Sequence, residues 1–324
     1  MSGGGEEKAV FHALKADAEK SLPKIAEKHA GLVDATVEKG TRNLAEHAAN
    51  EKELTDAFRS KMPKDNPLTD PKPPAPGTSR ITQALDSGAA PQLGRDALHD
   101  SPDFNTQIDH ELNARGLDRT EHDSLRTTPT NNLTDEQIQQ VVDVRNTIKI
   151  MDGQIVTKVL GPDVATSYLK NAEHMPDGGV FDSTRFGGSI ARGTDTAGLT
   201  TPSELRDALA LDDKGVGWTP VPEGATEAYQ LRLKAPEGLK ADTTFGAVDD
   251  PAAAQHVADL AGASKGRPWN DPFTGTGYTG GGIPEWEAAR TRIPPGAEIW
   301  RMTPDGSESL AGYYNGSKWI GTNG

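Results

Sequence analysis

The sequence predicts an α+β protein in which an N-terminal helical part precedes a region of short, mainly antiparallel strands. Three observations support this prediction. Residues 6–61 repeat apolar positions at steps of three and four, residues 62–79 contain six prolines, and beyond Met151 short β-prone runs alternate with glycine and proline turns. The proline-rich stretch is the best domain boundary, because proline removes a backbone donor and fixes φ.

The N-terminal part divides into two helical segments on either side of this linker. Residues 1–61 predict two or three amphipathic helices that would serve export or docking, although an inert helical spacer explains the same pattern equally well. Residues 80–150 predict shorter helices. Among them, Thr134 before Asp135 and Glu136, followed by spaced apolar residues, predicts a capped helix of about four turns.

Residues 151–324 form the segment in which we expect the activity. Strands are predicted at residues 154–160, 188–191, 228–233, 298–302 and 309–314, where β-prone residues lie between turns. The pair Asp305-Gly306 predicts a hairpin between the last two strands. Helices are predicted at 201–211 and 251–260, the first with Pro202 at an early helical position.

Composition excludes several classes of protein. Lys and Arg number 34 against 48 Asp and Glu, so the net charge of −14 argues against binding to duplex nucleic acid. No apolar run is long enough for a membrane span, and the start lacks the features of a signal peptide. If the protein is exported, we expect it to leave by a non-classical route. The absence of cysteine excludes disulfides and thiolate chemistry.

The sequence contains no convincing motif for dinucleotide or metal binding. Residues 275–280 match G-x-G-x-x-G, but no apolar strand precedes them and no helix pattern follows, which disfavours a dinucleotide fold. The eight histidines are scattered, so no metal site is predicted.

One set of residues does indicate chemistry. Glu285 and Glu287 are two residues apart, and in an extended strand their carboxylates would share one face. Arg192 ends a predicted strand beside a glycine, where its guanidinium could bind a diphosphate. Hydroxyls and aromatic rings that could line the same cleft belong to Thr243, Thr244, Thr274, Thr276, Phe245, Trp269, Tyr278 and Trp286.

These residue types suit cleavage of an N-glycosidic bond to a cationic leaving group. As nicotinamide leaves NAD, the ribose gains oxocarbenium character, which a nearby carboxylate stabilises. A second carboxylate can accept the proton of the acceptor. An arginine would hold the phosphates, and an aromatic ring would hold nicotinamide.

The order of Arg192, a threonine segment and Glu285-x-Glu287 resembles the R, S-T-S, E-x-E pattern of the ADP-ribosyltransferase toxins. The resemblance includes residues 293–299, IPPGAEI, as the proline-glycine turn and strand after E-x-E. It implies a mixed α/β ADP-ribosyltransferase-like domain with NAD as substrate, Glu287 as the family's invariant glutamate and Glu285 as the acceptor-activating one. It also implies that Arg192 binds NAD.

The middle motif stays open between two segments, since neither is a true S-T-S. Thr243-Thr244 has the more family-like spacing, and Thr274-Gly275-Thr276 the better sequence. Short segments between residues 134 and 320 also resemble C-terminal modules of actinobacterial polymorphic-toxin-type proteins. The resemblance implies a protein or small-molecule acceptor and allows an immunity protein as partner. It also implies a protein that is made in the bacterial cytoplasm and is secreted or delivered by a non-classical route without a cleavable signal peptide.

Two other interpretations remain. Arg185-Phe186-Gly187, residues 229–236 and residues 280–283 follow the segment order of NAD glycohydrolases of the tuberculosis-necrotizing-toxin type. Alternatively, the protein is non-catalytic and serves a structural or interaction role. In that case Glu285 and Glu287 are solvated, and EWEAARTR could be a helical turn in which Glu287 pairs with Arg290.

Overall fold

The computed structural model describes residues 92–212, 219–270 and 272–322, which all belong to one compact unit. The predicted helical segment 1–61 and the predicted linker 62–79 lie outside the described residues. The described part of the chain combines seven α-helices with an eight-stranded, antiparallel sheet. The prediction of a mixed α and β fold with antiparallel strands is therefore confirmed.

Three helices precede the sheet, and a side chain caps each of them. They are α1 (Phe104–Arg115), α2 (Arg119–Arg126) and α3 (Asp135–Arg145). Asp103 and Asp118 accept backbone hydrogen bonds at the starts of α1 and α2, and Thr134 forms a capping box with Gln137 at α3. The predicted capped helix is thus α3, and with 11 residues it has about three turns rather than four.

Ten strands follow in the sequence, and eight of them form the main sheet. The strands are β1 (Ile155–Leu160), β2 (Arg185–Arg192), β3 (Ala228–Lys234), β4 (Ala241–Thr243), β5 (Gly246–Val248), β6 (Arg267–Trp269), β7 (Trp286–Arg292), β8 (Glu298–Met302), β9 (Glu308–Tyr314) and β10 (Trp319–Gly321). The order across the main sheet is β10-β9-β8-β3-β1-β2-β7-β4, and β5 pairs with β6 in a small parallel sheet. The five predicted strands correspond to β1, β2, β3, β8 and β9. The predicted hairpin joins β8 to β9, with Gly306 at φ 81° in the left-handed region.

Four further helices connect the strands: α4 (Pro162–Leu169), α5 (Gly193–Thr196), α6 (Pro202–Ala208) and α7 (Pro251–Leu260). Helix α7 has the predicted bounds, because Asp250 caps the backbone at its start and Pro251 occupies the first turn. Helix α6 begins at the predicted proline, with a capping box between Thr201 and Glu204. It ends before residue 211, the predicted end.

The hydrophobic core joins the helices to the sheet. Ile108 of α1 and Val141 of α3 are fully buried in the same cluster as Val156 of β1, Ile190 of β2 and Trp286 of β7. Burial of an aliphatic side chain of this kind contributes about 1.5–3 kcal/mol. The helices of residues 104–145 therefore pack as part of the sheet's own core, and the packing does not break at residue 150.

The shortest strand pairing in the main sheet is the one between β1 and β2. Only Val156 with Arg192 and Thr157 with Ala191 are paired there, whereas β1 pairs with β3 along its whole length. Strands β2, β7 and β4 form a three-stranded arm on one side of this short contact. The gap beside the contact, where β1 and β2 are no longer paired, is where the candidate site lies.

Candidate functional site

Glu285 and Glu287 lie at the start of β7, on one face of the three-stranded arm. Glu287 is directly opposite Ser189 of β2 and Asp242 of β4, and opposed residues of antiparallel strands project to the same side. Glu285 directly precedes the strand, and Thr244 donates a hydrogen bond to its Oε2 atom over 3.1 Å. Residues 286–292 are a strand, so the helical alternative for this segment is not observed.

Two cations border the carboxylates. Lys158 of β1 reaches across the gap between β1 and β2, where its Nζ donates to the carbonyl oxygen of Ser189 over 3.4 Å. Gly188 leaves room for it, since a Cβ there would lie 3.2 Å from Nζ. Arg267 of β6 approaches from the other side, with its Nη1 atom 3.4 Å from Oε1 of Glu287.

The environments of the two carboxylates differ. Burial raises the pKa of the Glu285 carboxyl above its usual value, and hydrogen bonds from Ser189 and Thr244 oppose this effect. Glu287 contributes to the same rise through its negative charge. The Glu287 side chain itself is 23% exposed and pairs with Arg267. Burial lowers the pKa of the Lys158 ammonium group, whereas Glu287 and Glu285 favour its charged form.

Arg145 of α3 holds the E-x-E segment from the core side. Its guanidinium donates to the carbonyl oxygen of Glu285 over 2.8 Å and to that of Gly277 over 2.7 Å. It also lies 4.2 Å from the ring centroid of Trp286. Arg145 is completely buried and does not contact solvent. Through these hydrogen bonds it fixes the backbone that presents both carboxylates.

Arg192 does not lie beside the carboxylates. It is two residues beyond Ile190, which pairs with Trp286, so its side chain is on the opposite face of the arm from Glu287. There it is 1% exposed and makes a bidentate ion pair with Asp195 over 2.6 and 2.9 Å. It also donates to the side-chain oxygen of Gln107 over 2.8 Å and to the carbonyl oxygen of Lys149 over 3.5 Å. The predicted role of Arg192 in binding a diphosphate is therefore corrected, because its donors are used inside the core.

The three residues predicted from the glycine-rich segment are also buried. Thr276 donates to the carbonyl oxygen of Arg126 over 2.8 Å, and Thr274 donates to that of Tyr278 over 2.7 Å. Tyr278 is fully buried with its ring between Arg126 and Arg145. Thr274, Thr276 and Tyr278 hold this segment in place, and none of them is exposed to a ligand.

Glycine is required in this segment for close packing. Gly275 has a φ of 86°, and a Cβ there would lie 2.0 Å from the carbonyl oxygen of Gly246. No side chain fits at that distance. Close packing against the backbone of Gly246 therefore explains this glycine of the G-x-G-x-x-G match without a bound dinucleotide.

Of the remaining predicted residues, only Thr244 meets the carboxylates. Thr243 is opposite Trp286 in the β4–β7 register and therefore lies on the other face from Glu287. Trp286 is 3% exposed beneath Arg145, so it cannot hold nicotinamide where it lies. The structure brings Glu285, Glu287 and Thr244 together and separates them from Arg192, Thr243, Thr274, Thr276, Tyr278 and Trp286.

Three further residues of the site, which no sequence motif contains, are Lys158, Ser189 and Arg267. Lys158 had a visible signal, since it is the one charged residue within the apolar run IVTKVL, and a charge in a buried strand requires a partner. Ser189 lies in a predicted strand but carries no motif. Arg267 is brought to Glu287 only by the pairing of β6 with β5, which no local pattern shows.

Metal and membrane features do not occur in this part of the chain. Within residues 92–212, 219–270 and 272–322, no three His, Asp or Glu side chains are arranged to hold a metal ion. None of the helices in these ranges combines the length and apolar character that a membrane span needs.

Comparisons with models of known protein families, with curated proteins and with solved structures found no match. The geometry of the site indicates which chemistry it can perform. A buried carboxyl group with a raised pKa can exchange a proton, and a neighbouring ionised carboxylate can stabilise a cation. Paired carboxylates of this kind suit substitution at a sugar carbon with a cationic transition state.

Proposed function

We propose that this protein is a toxin-like ADP-ribosyltransferase that cleaves the nicotinamide–ribose bond of NAD and transfers ADP-ribose to a protein or small-molecule acceptor. One observation carries the proposal. Glu285 and Glu287 lie on one face at the gap in the sheet, in different environments and among hydroxyl donors and cations. The resemblance of Glu285-x-Glu287 to the toxin motif supports the same chemistry.

Glu287 is the residue that stabilises the transition state. Nicotinamide leaves with the electron pair of its bond to the ribose C1′ atom, and positive charge develops on the ribose. The Glu287 carboxylate is 23% exposed, so it can approach this carbon from the cleft. Removal of one preorganised electrostatic group from a site typically costs about 100- to 1,000-fold in rate.

Glu285 serves as the general base for the acceptor. The acceptor's lone pair forms the new bond to C1′, and its proton passes to the Glu285 carboxylate. A raised pKa favours this step, because a base is most effective when its pKa lies near the working pH. Ser189 and Thr244 orient the group through their hydrogen bonds.

The two cations complete the electrostatics of the site. Lys158 lies close enough to favour the ionised form of Glu285. Arg267 pairs with Glu287 in the free protein and is the side chain that an incoming ribose would displace. Arg192 has no part in this proposal.

The test compares the purified full chain with its Glu287→Gln variant, using NAD labelled in the adenosine part. We expect the variant to release nicotinamide about 100-fold more slowly or worse. The matched control is Glu237→Gln, which changes an exposed glutamate outside the site and should leave the rate unchanged. Circular dichroism verifies that each variant is folded.

The products separate transfer from hydrolysis. Label that appears in a macromolecule or small acceptor supports transfer, whereas free ADP-ribose as the only product, with extracts present, indicates a glycohydrolase. Absence of any NAD cleavage by the wild type, together with an unchanged melting temperature in excess NAD, would refute both enzymes and favour an interaction protein.

A further inference from the structure

A row of arginines extends the face that carries Glu285 and Glu287. Along β7, Arg290 and Arg292 follow Glu287, and Arg292 is directly opposite Arg185 of β2. Arg290 is 62% exposed in its side chain and Arg185 is 39% exposed. We call Arg185, Arg290 and Arg292 the arginine row.

A bulge in β7 places the arginine row on this face. Gly188 pairs with Ala288 and Phe186 with Thr291, so two residues of β7 oppose the single residue Gly187. Strict alternation would have put Arg290 and Arg292 on the buried face of Trp286. A Cβ at Gly187 would lie 3.2 Å from the Cα of Arg290, so a glycine is the residue that best allows the bulge.

The arginine row has an excess of positive charge. Asp182 is its one carboxylate partner among the described residues, and a single oxygen serves both Arg185 over 3.4 Å and Arg290 over 3.7 Å. Like charges directly opposite each other destabilise a strand pair, as Arg185 and Arg292 do here. The chain as a whole has a net charge of −14, so this cluster of positive charge is a local exception. An anionic ligand would neutralise it.

We propose that the arginine row binds the phosphate groups of the nucleotide substrate whose glycosidic carbon meets Glu287. The inference rests on the proposed function, and it fills the role that the sequence had predicted for Arg192. Guanidinium groups bind phosphate oxygens through paired hydrogen bonds, which makes arginine the preferred residue for such a site.

The spacing along β7 agrees with this assignment. Because of the bulge, Arg290 lies opposite Gly187, which is two residues from Ser189, the partner of Glu287. At the rise of a strand this separation corresponds to roughly 7 Å. In a nucleotide, one ribose ring and an ester bond separate the glycosidic carbon from the first phosphate. A substrate with its ribose at Glu287 can therefore place its nearer phosphate at Arg290 and its farther phosphate toward Arg292 and Arg185.

The experiment measures ADP binding by calorimetry and NAD cleavage by steady-state kinetics, for the wild type, Arg290→Gln, Arg292→Gln and the double variant. We expect each single change to weaken ADP binding about tenfold and the double change about 100-fold. The KM for NAD should rise in parallel with little change in kcat. The affinity for adenosine, which has no phosphate, should be the same in all proteins.

Two controls make the result specific. Arg301→Gln removes an exposed arginine that pairs with Glu227 outside the site, and it should leave ADP binding unchanged. Arg267→Gln tests the competing cation beside Glu287. If Arg267→Gln weakens ADP binding while the double variant of the row does not, the inference is overturned and the diphosphate belongs to Arg267.

The outcomes also separate this inference from the proposed function. ADP binding that depends on the row, in a protein that never cleaves NAD, would support the phosphate site and refute the transferase. NAD cleavage with an unaltered KM in the double variant would support the enzyme and refute the arginine row. A wild type that binds no ADP refutes the row directly.

Discussion

Protonation of one buried histidine should weaken the fold in mild acid. His122 of α2 is completely buried, and neither of its ring nitrogens has a hydrogen-bond partner. Its ring meets Tyr278 edge-on at a centroid distance of 6.3 Å. Burial, and next the charge of Arg126, lower the pKa of His122 from 6.5 to about 4.

The sign and size follow from the linkage of protonation to folding. Between pH 6.5 and 4, the unfolded chain binds a proton at His122 that the folded protein does not, so stability falls as the pH is lowered. The stability that depends on a neutral His122 is fully present above the pKa of the unfolded chain. It is completely lost once the pH falls below the pKa of the folded protein. Between pH 7 and pH 4.5 the loss amounts to about 2.5 kcal/mol.

The assay is urea unfolding of the full chain at both pH values, followed by the fluorescence of the buried tryptophans. His122→Phe keeps a ring beside Tyr278 and removes the titration, so its loss of stability between the two pH values should be about 2.5 kcal/mol smaller than in the wild type. His122→Leu should behave in the same way, and His256→Gln serves as the control because this histidine is 53% exposed. Equal pH dependence in the wild type and both variants at position 122 would refute the argument.

Two further predictions concern the core ion pair and the general base. Asp195→Asn leaves the buried charge of Arg192 unpaired and should lower the free energy of unfolding by about 3–5 kcal/mol. The control variant Arg301→Gln, at an exposed ion pair, should lower it by less than about 1 kcal/mol. Equal effects of the two variants in urea unfolding would contradict the assignment of Arg192 to the core. Because burial raises the folded pKa of Glu285 above 4.5, transfer should be lost as the pH falls through a midpoint above that value, and Glu285→Gln should remove this limb of the pH–rate profile. A wild-type limb at or below 4.5 would argue against Glu285 as the base.

Local sequence patterns were sufficient to predict the helices and turns that are marked by capping residues, proline or glycine. Thr134 before an apolar series marks the start of α3, and Asp250-Pro251 marks the start of α7, because a capping side chain and a proline act on the nearest backbone groups. The hairpin at Gly306 is equally local. Short strands such as β4, β5, β6 and β10 have three residues each, too few for a periodic pattern.

The candidate site was only partly predictable for a related reason. The two-residue spacing of Glu285 and Glu287 leads to a shared face wherever the chain is extended, so their proximity could be read from the sequence. Arg192 fits the same family pattern, yet the β2–β7 register turns it to the face of Trp286. A shift of one residue in register reverses the face of every side chain in a strand, and no short motif carries that information.

The sequence by itself determined the mixed α and β character of the described residues, the capped helices, the longer strands and the adjacent pair of carboxylates. Each of these depends on interactions within a few residues. The tertiary structure decided which distant groups meet the carboxylates. It brought Lys158 and Arg267 to them, buried Arg192 with Asp195, and through the bulge at Gly187 turned Arg290 and Arg292 outward. The physical reason is that strand pairing and side-chain burial are set by the whole core, whose contacts join residues far apart in the chain.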